Sequence, residues 1–62
     1  MKNLVGKFVD IIDEDSDYYG MWGKIIAQDE DGLYHIAICC GTNSIPVFER
    51  NQFRVKVIEV IP

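Results

Sequence analysis

The chain has 62 residues, enough for one small domain that buries only about 60% of the surface its unfolded form exposes. Its hydrophobic fraction of 48% is that of a folding globular chain, and no long low-complexity or like-charged block suggests a disordered tail. A net charge of −4, from 6 Lys and Arg against 10 Asp and Glu, argues against a nonspecific grip on nucleic-acid phosphate.

The charge is unevenly spread. Residues 1 to 31 hold eight acids and three bases, whereas residues 32 to 62 hold two acids and three bases. One end of the fold is therefore expected to be strongly negative, which serves solubility or meets a basic partner. Leu4 to Ile12 is interrupted by Gly6, Lys7 and Asp10, too broken for a signal peptide and too short for a membrane span. The expectation is a cytoplasmic protein with no membrane partner. Cys39 and Cys40 are adjacent, and neighbours on a strand point to opposite faces, so two free thiols are expected.

In chain order, Gly6 to Ile12 reads as a first strand, with Val9 and Ile11 on one face around Asp10. The acid run Asp13, Glu14, Asp15 and Asp17 stops it. Trp22 to Gln28 is a second strand, with Ile25 and Ala27 on one face and Trp22, Lys24 and Ile26 on the other. Asp29-Glu30-Asp31-Gly32 supplies a tight turn in which Gly32 suits a positive φ. Leu33 to Cys39 alternates most cleanly, Tyr34, Ile36 and Ile38 against His35, Ala37 and Cys39. Cys40-Gly41-Thr42-Asn43 reads as the next connection, followed by a short strand from Ser44 to Phe48 that Pro46 pushes toward an edge. Glu49 to Gln52 is a single helical turn, and Phe53 to Val60 a fifth strand with a bulge near Ile58. Five short strands in so small a chain bury one face only by curling the sheet on itself. The predicted fold is all-β, a five-stranded small barrel in one domain spanning residues 1–62.

The succession Gly6-x-x-Val9-x-Ile11, acid loop, Gly20-x-x-Gly23-x-Ile25, Asp31-Gly32-x-Tyr34-x-Ile36, Ile45-Pro46-Val47-Phe48 and Asn51-Gln52-Phe53-x-Val55 resembles the small SH3-like barrels of bacterial and phage proteins. It is also similar to KOW-type and photosystem reaction-centre accessory barrels. The resemblance implies a long first loop, a glycine pair opening the second strand and one helical turn before the last. Peptide-binding SH3 domains hold basic, proline-rich peptides with an acidic first loop and aromatic residues. Asp13, Glu14, Asp15 and Asp17 with Tyr18, Tyr19, Met21 and Trp22 imitate that arrangement, although the Ala-Leu-Tyr-Asp-Tyr signature is absent. The catalytic Val-Gln-Ile-Tyr strand of the plasmid-encoded type II dihydrofolate reductase barrel also has no match.

Other chemistries fare worse against the residues. Asp13-x-Asp15-x-Asp17 fits the first ligands of an EF-hand loop, but the sixth and twelfth places hold Tyr18 and Lys24 where glycine and glutamate are needed. No metal and no cofactor is expected. Acids in an exposed loop lack the cleft that would raise one pKa for acid and base work, and His35 lacks a second ligand or nucleophile within reach. The expected function is a non-enzymatic protein-interaction module whose acidic and aromatic loop binds a basic partner surface, a small phage-type inhibitor being one version. One alternative is a KOW-like RNA- or DNA-binding accessory domain using Arg50, Arg54 and Lys56. Another is a subunit of an oligomeric barrel enzyme, since a single barrel is too small to enclose a substrate. Self-association would add stability to so small a core.

Overall fold

In the computed structural model, which describes residues 3–39 and 44–56, five antiparallel strands form one curled sheet, a half-barrel with almost no helix. The strands are β1 (Phe8–Ile11), β2 (Trp22–Gln28), β3 (Tyr34–Ile38), β4 (Val47–Phe48) and β5 (Phe53–Val55), in spatial order β4-β3-β2-β1-β5. A 3₁₀ turn, Arg50–Gln52, precedes β5. Each of β1 to β4 pairs with its neighbour in sequence, and the chain then brings β5 back beside β1. No helix among the described residues is long and apolar enough to cross a membrane.

Period-two alternation decides which side chains turn inward. Val9 and Ile11 of β1, Ile25 of β2, Ile36 and Ile38 of β3, Phe48 of β4 and Phe53 of β5 are all buried and form one core. Leu4, Tyr18, Tyr34 and Val55 pack against it, half-buried. Gly23 is the inward residue where β2 meets β3. A Cβ there would collide with the carbonyl oxygen of Ala37 and sit 2.9 Å from Ile36 Cγ2, so only glycine lets the strands approach this closely.

The expected strand bounds of β2 hold at both ends, while β1, β3 and β4 are shorter than the alternation suggested. One side-chain assignment is corrected. Ala27 does not share the inner face with Ile25: Ile25 pairs with Ile36 and Ala27 with His35, so Ile26 is an inserted residue that reverses the alternation. Residues 40–43, expected as a connection, and the continuation of the fifth strand through Ile58 to Val60 lie outside the described residues.

Candidate functional site

Residues 12–21 join β1 to β2 as a chain of successive turns. The Asp13 carbonyl accepts the Ser16 N–H at 3.0 Å, the Ser16 carbonyl accepts Tyr19 N–H at 3.1 Å, and the Tyr18 carbonyl accepts Met21 N–H at 2.9 Å. Ile11 closes the base by exchanging backbone hydrogen bonds with Gly20 and Met21. The Gly20 φ of 83° is the left-handed conformation that lets the chain re-enter the sheet. Side chains add two further ties: Asp13 Oδ1 accepts the Asp15 N–H at 3.0 Å, and Ser16 Oγ accepts the Tyr18 N–H at 3.1 Å.

Asp13 also reaches across the fold. Gln52 Nε2 donates to Asp13 Oδ2 at 2.7 Å, while Gln52 Oε1 accepts the Glu49 backbone N–H at 2.7 Å. One amide thus clamps the 3₁₀ turn to the first connection, and the Ile12 N–H reinforces it by donating to the Gln52 carbonyl at 3.0 Å. The Gln52 hydrogen bond, then that of Asp15, hold the Asp13 carboxyl below its ordinary value of 3.8, against a small opposing effect of burial. Around this clamp lies an open cleft of about 460 Å³ lined by Ile12, Asp13, Glu14, Glu49, Asn51 and Gln52. Three carboxylates from two connections border it. A cleft so lined can receive an ammonium or guanidinium group, which each carboxylate would favour through a charge-assisted hydrogen bond.

The aromatic residues of the first connection do not act together. Tyr18 turns inward, packs on the core and meets Phe48 edge to face with ring centroids 6.2 Å apart. Tyr19 points to solvent, 55% exposed, and Met21 is at the exposed margin of the strand. Trp22 belongs to the outer face of the sheet, where it lies 5.8 Å from Phe8. Glu14, Asp15 and Asp17 are exposed, so the connection presents carboxylates with Tyr19 and Met21 beside them, and Tyr18 is part of the scaffold.

The cations Arg50, Arg54 and Lys56 are likewise divided. Arg50 bends over the ring of Phe53, 5.2 Å from its centroid, and donates to the Phe53 carbonyl at 3.4 Å. Arg54 is exposed on β5, opposite Asp10. Lys56 pairs with the Asp10 carboxylate at 3.1 Å and lies 5.6 Å from the centroid of Trp22.

Asp29 and His35 come together in a way the sequence reading passed over. Asp29 Oδ1 accepts the backbone N–H groups of Asp31 and Leu33, at 2.9 and 3.0 Å, and Oδ2 is 3.2 Å from His35 Nε2. The Leu33 hydrogen bond is the main reason the Asp29 carboxyl lies below 3.8; burial opposes it, and His35 and Asp31 add to the lowering. This carboxylate is occupied in closing the β2–β3 hairpin. No group of three or more His, Cys, Asp or Glu side chains among the described residues is placed to hold a metal ion. Gln52 is the site residue that sequence reasoning missed. Its signal was the Glu49-x-x-Gln52 spacing of a capping box.

Compared with protein-family models, with curated proteins and with solved structures, the chain finds no match in any of the three.

Proposed function

We propose that this chain is a non-enzymatic protein-interaction module, an SH3-like barrel whose first connection docks on a basic protein surface. The strand order β4-β3-β2-β1-β5 and the single 3₁₀ turn before β5 support the fold reading. The observation that carries the functional reading is the cleft beside Gln52. Asp13 and Glu14 from the first connection and Glu49, the residue that precedes the 3₁₀ turn, border one open concavity, and Asp15 and Asp17 are exposed further along the same connection. Four exposed or half-exposed carboxylates within five residues repel one another, and a lysine- or arginine-bearing surface relieves that repulsion on contact. An inhibitor that occupies the nucleic-acid-binding groove of a basic protein is a concrete form of this activity.

The test is capture from a lysate of the native host at low ionic strength, with mass-spectrometric identification. The chain is compared with a variant carrying Asp13→Asn, Glu14→Gln, Asp15→Asn and Asp17→Asn. The expected result is a basic protein retained by the native chain, released by moderate salt and lost with the variant. Retention that is indifferent to both salt and the four substitutions overturns the reading.

A further inference from the structure

The outer face of β5-β1-β2 carries charge of the opposite sign. Cross-strand partners share a face, and the register places Trp22, Asp10 and Arg54 in one row across the three strands. The next row holds Lys24 and Phe8, with Lys56 following Val55, the partner of Val9, and donating its backbone N–H to the Phe8 carbonyl at 2.8 Å. Three cations, one carboxylate and two rings therefore occupy adjoining positions on one sheet surface. Phe8 and Trp22 are 36% and 38% exposed, so ring surface remains open to solvent. Lys24 Nζ lies 5.8 Å from the Phe8 centroid and Lys56 Nζ 5.6 Å from that of Trp22. Arg54 has no ion-pair or hydrogen-bond partner among the described residues and faces outward.

We propose that this face binds single-stranded nucleic acid, with bases stacking on Phe8 and Trp22 and backbone phosphates meeting Lys24, Arg54 and Lys56. Single strands are held by aromatic platforms flanked by cations, because every base offers a π-face and every linkage a negative charge. The rows supply both at neighbouring positions, Lys24 over the Phe8 ring and Lys56, just after β5, over that of Trp22. Phosphates would draw Lys24 off the Phe8 ring and compete with the Asp10 carboxylate, 3.1 Å away, for Lys56, which frees the ring surfaces for bases. The whole-chain charge of −4 is a sum that hides this face, whose six residues total +2, behind the acids of the connections. A duplex hides its bases and would engage the cations alone.

Trp22 is the only tryptophan, so its fluorescence reports the site directly. Titrating the full chain with a single-stranded oligopyrimidine at low salt is expected to quench it, and the duplex of the same length to bind more weakly. The logarithm of affinity should fall against the logarithm of salt with a slope of about −2, from three phosphate contacts at about 0.7 each. Phe8→Ala should weaken binding roughly tenfold and Phe8→Tyr restore it. Arg54→Gln should reduce the salt slope by about 0.7 without altering thermal unfolding. Neutralising Asp13, Glu14, Asp15 and Asp17 should strengthen oligonucleotide binding, the reverse of its expected effect on protein capture, so the two readings fail separately. Absence of quenching at low salt overturns the proposal, as does affinity equal in Phe8→Ala and the native chain. A Trp22 signal that changes with protein concentration alone, and is lost when the loop carboxylates are neutralised, would also overturn it by assigning the face to the acidic connection of a second copy.

Discussion

Asp13-Glu14-Asp15 and Asp29-Glu30-Asp31 are the same tripeptide, and each opens the connection between two neighbouring strands. Both begin identically. The first aspartate accepts the N–H of the third through its side chain, at 3.0 and 2.9 Å, and its carbonyl accepts the N–H of the fourth residue, at 3.0 Å in each case. The fourth residue then separates them. Gly32 adopts a φ of 82°, reverses the chain, and lets Leu33 return its N–H to Asp29. Ser16 instead starts a second turn with its own carbonyl and hydroxyl, and the chain runs on to Gly20 before it re-enters the sheet. Identical acids thus serve a closed hairpin in one place and an extended, carboxylate-bearing surface in the other.

The largest expected effect comes from exchanging that fourth residue. Gly32→Ser has space, since the nearest atom to a new Cβ is Gln28 Nε2 at 4.0 Å, so the cost is the left-handed backbone alone. That conformation disfavours a non-glycine residue by about 1 to 2 kcal/mol. Chemical denaturation should show this loss for Gly32→Ser and a much smaller change for Ser16→Gly, where the losses are one side-chain hydrogen bond and some chain entropy. Equal effects would mean that glycine does not decide the fate of the tripeptide.

Much of this frame was legible in the residues. Val9 and Ile11 around Asp10, and Ile36 and Ile38 around Ala37, are period-two signals that packing respected, and the turn chemistry of Asp29 to Gly32 was local. The misplaced groups depend on partners far along the chain. Strict alternation puts Ala27 on the face of Ile25, because nothing local marks Ile26 as a bulge; the register against His35 and Ile36 decides it. Adjacency groups Tyr18 with Tyr19 and Trp22, yet its ring contact is Phe48, thirty residues on. The clamp of Asp13 by Gln52 spans 39 residues. The outer rows were visible as Phe8-x-Asp10, Trp22-x-Lys24 and Arg54-x-Lys56, but only strand order shows that these three pairs are neighbours.

Acid titration sharpens the comparison, with a smaller effect on stability. Both first aspartates have folded-state pKa values lowered below the ordinary 3.8, Asp13 chiefly by Gln52 and Asp29 chiefly by Leu33. A carboxyl depressed in the folded state binds protons more readily when unfolded. Its stabilisation is therefore complete above about pH 3.8 and is lost as pH falls through the folded value. Gln52→Ala should move the Asp13 carboxyl titration upward, followed by carboxyl-carbon NMR, and leave that of Asp29 in place. Asp29→Asn should flatten the fall in stability below pH 3.8. A shift of both titrations in Gln52→Ala would show that the connections are coupled.

The smallest effect should carry the opposite sign. Asp17 is exposed, accepts no hydrogen bond among the described residues, and stands in a connection with three other carboxylates. Removing its charge relieves repulsion without uncapping any backbone group, so Asp17→Asn should stabilise the fold slightly at low salt. Added salt screens that repulsion, and the gain should disappear once the Debye length falls well below about 10 Å. Asp13→Asn, by contrast, loses a charge-assisted bond to Gln52 and should destabilise the fold even where salt has cancelled the effect at Asp17. Opposite signs for two aspartates four residues apart would separate the carboxylate that builds the connection from those it displays. Parallel signs would mean that Gln52 contributes nothing to holding the first connection in place.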